Sequence, residues 1–144
     1  MRTTLAIALL AAAPASAWEF NSAPVCMIWH QTETSKIMVS YDVSAPKPYA
    51  LDVVLKSGRW PDTSPFSVTF EGANSFTIST DRHLVSEDAK TVTASDTGFG
   101  NVLKGLENNA TASPKLGTQG VTFPLEGAAE VVQKFRDCTR PKLG

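Results

Sequence analysis

From Val25 onward the chain alternates apolar and polar positions in short runs. Val25–Gln31 (VCMIWHQ) is mainly apolar, with branched and aromatic residues, and reads as a first strand. In Lys36–Val43, Ile37, Val39, Tyr41 and Val43 share one face while Ser40 and Asp42 share the other, the pattern of a half-buried strand. Ala45-Pro46-Lys47-Pro48 imposes a turn, and Tyr49–Lys56 resumes the two-residue period with Tyr49, Leu51, Val53 and Leu55 inward, so a β-meander is predicted. Ser57-Gly58 and the Pro61–Pro65 segment make a longer loop around Trp60 before Phe66–Phe70 alternates through Phe66, Val68 and Phe70. Gly72-Ala73-Asn74 turns the chain into Ser75–Thr80, where Phe76 and Ile78 share a side. Leu84–Ser86 and Thr91–Ala94 can pair across the polar turn Glu87–Lys90.

Beyond Ala94 the period changes. Val102, Leu103 and Leu106 sit at helical spacing after a candidate cap at Asp96 or Thr97, which predicts one short helix weakened by Gly100 and Gly105. Asn108–Gly120 is polar and reads as a loop, and Val121–Leu125 reads as a last strand whose Pro124 implies an edge or an end. Gly127–Cys138 is the clearest helix, with Ala128, Val131, Val132, Phe135 and Cys138 at helical spacings. The expected fold is therefore mainly β: a small antiparallel β-sandwich or half-open barrel, with one short helix and a C-terminal helix covering an edge or an open end. An α+β layered fold is the alternative.

The first residues add a location. Leu5–Ala13 is an apolar run of nine residues, too short to cross ~30 Å of hydrocarbon, and Pro14 and Ala15-Ser16-Ala17 supply a helix break and small residues for a signal peptidase. Residues 1–17 thus read as a signal peptide and 18–144 as a single β-rich domain, with a soluble, unanchored product expected in a bacterial periplasm or outside the cell. Export places Cys26 and Cys138, the chain's two cysteines, in an oxidising compartment, where a Cys26–Cys138 bridge is expected to pin the last helix to the first strand.

Charge and motifs narrow the chemistry. Without Arg2 the balance is 12 basic against 14 acidic residues, which gives no cationic surplus for nucleic acid. Two histidines and no cysteine to spare exclude a closed zinc site of the usual nitrogen and sulfur type, so no metal or other cofactor is expected. No G-x-S-x-G elbow occurs, and the carboxylates of Glu87-Asp88 fall in a polar turn where solvent should keep them near their ordinary ionisation. Gly98-Phe99-Gly100 reads as a bend that presents Phe99 to the core.

Asp81-Arg82-His83 is the densest polar cluster. In an extended segment Asp81 and His83 project to one face, where a carboxylate could orient an imidazole or share a metal with it; a solvated strand end is the plainer reading. Arg59-Trp60, in the long loop, adds the aromatic and guanidinium groups enriched at binding hot spots. Arg59, Trp60, Asp81, Arg82 and His83 therefore form the candidate binding set, with Trp60 as the tryptophan expected at the surface; Trp60 as a core plug is the competing reading.

Trp18-Glu19-Phe20, Cys26, Thr80-Asp81-Arg82-His83, Gly98–Leu103 and the ending FPLEGAAEVVQKFRDC resemble a group of small exported alphaproteobacterial proteins of uncharacterised function. Members often carry the label of an excinuclease ABC component. A helicase-like repair protein needs a G-x-x-x-x-G-K-[ST] phosphate loop, which this chain lacks, so the label does not transfer. Val121–Phe135 is also similar to the invasion-associated locus B family, a likeness that implies a strand leading into a short helix. Neither resemblance brings a catalytic residue. The function expected is a non-enzymatic binding or envelope-associated interaction module, with an envelope protein or a small molecule as partner. A small hydrolase or metal-assisted enzyme using Asp81 and His83 is the alternative.

Overall fold

A computed structural model describes residues 17–141. Of the expected signal peptide, residues 1–16 lie outside the described residues.

The alternating runs form two antiparallel sheets packed face to face. Strands β2 (Cys26–Gln31), β3 (Ser35–Tyr41) and β4 (Tyr49–Leu55) make the predicted meander, and β1 (Glu19–Asn21), β7 (Leu84–Val85) and β8 (Thr91–Asp96) complete a six-stranded sheet in the order β1-β2-β3-β4-β8-β7. The second sheet is built from β5 (Phe66–Gly72), β6 (Phe76–Thr80), β9 (Asn109–Leu116) and β10 (Gln119–Gly120) in the order β10-β9-β5-β6, with β11 (Phe123–Pro124) also paired to β9. Register follows the sequence alternation. Ile28, Val39, Leu51 and Ala94 lie in one cross-strand row, and Ile37, Val53 and Val92 in the next. Facing them from the second sheet are Phe66, Val68, Phe70, Ala112 and Leu116, so each strand buries alternate side chains in a shared core.

Two helices cover one end. Helix α1 (Gly100–Asn108) and helix α2 (Ala128–Thr139) pack on each other, and α2 also rests on β1 and β2. Val131, Val132 and Phe135 are the buried stripe of α2. Cys138 on the same helix bonds Cys26 of β2, with Cα atoms 6.0 Å apart and a sequence separation of 112. Arg136 Nε donates to Glu107 Oε1 at 2.9 Å and ties the two helices at their half-exposed rim. The fold is thus the expected small sandwich with a C-terminal helix, and no closed barrel forms.

Several local expectations are corrected. Asn109–Leu116, expected as loop, is a strand between β5 and β10; its inward residues Ala112, Pro114 and Leu116 are mostly small or cyclic, which hides the alternation. Pro114 is tolerated because its carbonyl, and hence its nitrogen, faces the outer side, where Val121 N–H donates to it and where the ladder lapses between β11 and β10. Strand β1 is an addition to the expected elements, since three residues display no period. Helix α1 starts from Phe99 with no side-chain cap, whereas Asp96 ends β8. Gly105 does not weaken α1 without return: a Cβ there would lie 2.5 Å from the Phe70 ring, so glycine is what lets the helix touch β5.

Trp60 is the largest correction. Only 2% exposed, it plugs the end of the sandwich opposite the helices. Its indole N–H donates to the Val53 carbonyl at 3.0 Å, its ring meets the Phe66 edge, and its backbone N–H donates to Ala89 O at 2.8 Å. An indole in a loop can be buried when a strand carbonyl accepts its one donor, and here β4 supplies that acceptor.

Candidate functional site

The two long sides of the sandwich are closed unequally. On one side Trp18, packed on His30 with ring centroids 5.4 Å apart, donates its indole N–H to Pro124 O at 2.9 Å and joins β1 to β11 across the two sheets. On the other side the edge strands are β6 in one sheet and β8 with its short partner β7 in the other. Strand β7 pairs with β8 at Val92 and Thr93, and Ser86 N–H extends the cover back to Thr91 O, so Ala94–Asp96 run on as an open edge on the β6 side.

A cleft of about 590 Å³ opens between these edges. Its floor is apolar, made by Leu51, Phe66, Val68, Ile78 and Ala94. Phe99 and Val102 close the helix end, with Phe99 buried against Tyr49 as the Gly98-Phe99-Gly100 bend requires. The rim is polar: Ser79 and Thr80 on one lip, Ser95 and Asp96 on the other. A volume of this size, with an apolar floor and a few polar groups at the mouth, is the usual form of a small-ligand or side-chain pocket.

Asp96 is the one charged group lining the cleft. Its carboxylate accepts the Thr97 N–H at 2.6 Å and the Thr97 hydroxyl at 3.3 Å, and among the described residues no cation lies within ion-pairing distance of it. The cleft lining therefore offers hydroxyls, one carboxylate and a hydrocarbon floor. That set can hold an apolar group and orient a donor or a cation at its mouth.

The expected site residues are divided by the structure. The loop around Trp60 and the Asp81-Arg82-His83 crossover do meet, because His83 Nε2 lies 2.8 Å from the Thr63 carbonyl and its ring packs on Phe66. With Nε2 donating there, Nδ1 is left buried without a hydrogen-bond partner among the described residues, so His83 serves as a strut between the loop and the crossover. Asp81 is exposed, and no hydrogen bond joins it to His83. Arg59 and Arg82 are exposed, and the Arg82 backbone N–H is held by the Thr80 hydroxyl at 3.0 Å. Since Thr80 lines the cleft, the crossover sits beside the site, but the aromatic plate expected from Trp60 is inside the core.

The other histidine is elsewhere. His30 of β2 is 5% exposed, its Nδ1 has no partner among the described residues, and it borders a second hollow of about 560 Å³ with Glu19, Glu33 and Lys56. Among the described residues no three His, Cys, Asp or Glu side chains gather into a metal-binding group. Asp88, expected near its ordinary ionisation, is held below the ordinary carboxylate range, first by the Ser86 hydroxyl at 2.6 Å and then by the Lys90 backbone N–H.

Sequence reasoning missed Ile78, Ala94, Ser95 and Asp96 as site residues. The available signal was the loss of strong apolar alternation after Val92, where Ala, Ser and Asp take over a strand that has no long partner on its outer side. No family model, curated protein or solved structure matches this chain.

Proposed function

We propose that this protein is an extracytoplasmic binding module, without catalytic chemistry of its own, whose binding element is the cleft between β6 and β8. The observation that carries the reading is the unequal closure of the sandwich: one side is stitched by Trp18 and Pro124, while on the other the sheets part into a cleft over core residues, with Ile78 and Ala94 left partly exposed at its walls. Export is part of the proposal. The Cys26–Cys138 bond suits an oxidising compartment, and among the described residues no helix is long and apolar enough to cross a membrane. His83 supports a binding module over a hydrolase, because its Nε2 is already committed to a carbonyl.

The neutral fluorophore N-phenylnaphthylamine tests the reading at the cleft. Folded wild-type protein should enhance its emission saturably at one site, and Ala94→Trp, which places an indole into the cleft from β8, should weaken that binding at least tenfold with the urea midpoint held near wild type. Absence of saturable enhancement, or equal binding by the variant, would overturn it.

A further inference from the structure

We infer that the cleft takes an extended peptide segment, added as a strand along the open edge of β6, with an apolar side chain lowered between the sheets and a basic side chain set against Asp96. The inference rests on the binding reading above and names its ligand class.

Strand β6 bonds only to β5, and among the described residues no backbone hydrogen bond reaches its other edge. Alternate residues of Phe76–Thr80 therefore turn N–H and C=O groups toward the mouth, and the edge of β8 from Ala94 to Asp96 does the same from the opposite lip. A hydrocarbon chain would cover the floor but leave these donors and acceptors without partners. An extended backbone satisfies them in order and, with its two-residue period, sends every second side chain inward.

The sequence of β6 agrees. Natural edge strands are usually blunted by lysine, proline, a bulge or an inward charge, and Phe76-Thr77-Ile78-Ser79-Thr80 has none of these. At ~3.4 Å per residue its five residues offer about 17 Å of edge, room for a segment of about five residues. Phe76, Ile78 and Thr80 are the residues of β6 that pair opposite Phe70, Val68 and Phe66, so inward side chains of an added strand would fall beside them, over the apolar floor. Charge sets the end preference. Asp96 pairs in register with Tyr49 at the helix end of the cleft and, among the described residues, carries the only charge in its lining and has no cation within reach, so a lysine or arginine near that end of the peptide complements it.

The test uses the full chain with its disulfide intact and a bead-displayed library of random heptapeptides lacking cysteine. Selected peptides should share alternating apolar positions and a basic residue. N-methylation of the backbone at every second residue should reduce binding at least tenfold in one phase of the alternation and leave it nearly unchanged in the other, the period expected of a strand ladder. Hydrogen exchange of the outward amides in Phe76–Thr80 should slow at least tenfold on binding, and Asp96→Asn should weaken basic peptides about fivefold at low salt while leaving neutral ones unchanged. Peptides that bind with no period-two response to N-methylation, or that fail to protect β6, overturn the strand-addition inference. If no peptide binds but N-phenylnaphthylamine still occupies the cleft, the ligand class is wrong and the binding reading stands. If neither binds, both fall.

Discussion

Replacing Trp60 with alanine removes the plug at the end of the sandwich opposite the helices, and the structure fixes the size of the effect. A tryptophan buries roughly 150 to 250 Å² of surface, worth about 4 to 6 kcal/mol at ~25 cal/mol per Å², and measured Trp→Ala changes in cores cost about 3 to 5 kcal/mol once the site partly collapses. The Val53 carbonyl loses its indole donor at 3.0 Å, which adds about 1 kcal/mol if no water reaches it. Because Trp60 is only 2% exposed and leans on Phe66, collapse is restricted, and a loss of about 4 to 5 kcal/mol is expected. With a urea slope of about 2 kcal/mol per M for a domain of this size, the midpoint should fall by roughly 2 M under non-reducing conditions. Trp60→Phe, which keeps a ring but loses the N–H, should give an intermediate loss of about 1 to 2 kcal/mol. A Trp60→Ala midpoint within ~0.3 M of wild type would refute the plug and return Trp60 to the surface.

The other predictions concern the bridge, the helix contact and one turn. Replacing both Cys26 and Cys138 with serine should cost about 3 to 5 kcal/mol, read from urea unfolding, since the bond closes a loop of 112 residues; an unchanged midpoint would show that the bridge does not constrain the chain. Gly105→Ala should destabilise by about 1 to 3 kcal/mol even though alanine is the better helix former, because the new Cβ meets the buried Phe70 ring at 2.5 Å; a stabilised variant would contradict that contact. Asp88 should titrate below the usual carboxylate range by NMR, and Ser86→Ala should move its midpoint upward, since the Ser86 hydroxyl is the main cause of the shift. A depressed folded-state pKa means that this turn's contribution is present above the ordinary carboxylate pKa and is lost as pH falls through the lowered value, so the difference between wild type and Ser86→Ala should narrow in acid to the part owed to the Thr91 N–H that the Ser86 hydroxyl also accepts.

What could be read in advance, and what could not, follows from where each residue meets its partner. The strands of the meander and the face of α2 were legible because each buries a continuous stripe, so period alone reports them. Strand β9 was not, because Ala112 and Pro114 face the core without the bulk that marks a strand, and its pairing with β5 comes from a segment far back in sequence. Trp60 escaped for a related reason. Its polar, proline-rich neighbours describe the loop, whereas its burial depends on a carbonyl of β4 and a phenylalanine of β5. The cleft was invisible as a unit, since Ile78, Ala94 and Asp96 come from two edge strands in different sheets and carry no motif.

The open side also raises a question of stability, since an unpaired edge beside apolar residues invites association with other chains. Stability does not depend on covering that side. The bridge between Cys26 and Cys138, the Trp18–Pro124 bond and the Trp60 plug all lie on other sides or ends of the sandwich, so the core is closed from three directions without it. Strand β6 limits the hazard by being short, with exposed Thr77 and Ser79 on its outer face and with Thr77 already bonded across the strand pair to Thr69 at 2.9 Å. A partner strand thus finds one narrow lane, bounded by α1 at one end and by the Asp81–His83 crossover at the other. A further strand can be accommodated there in the smaller sheet without disturbing any contact that holds the domain together, and this separation between what stabilises the fold and what remains open is the physical basis for the proposal that binding falls on the β6–β8 side.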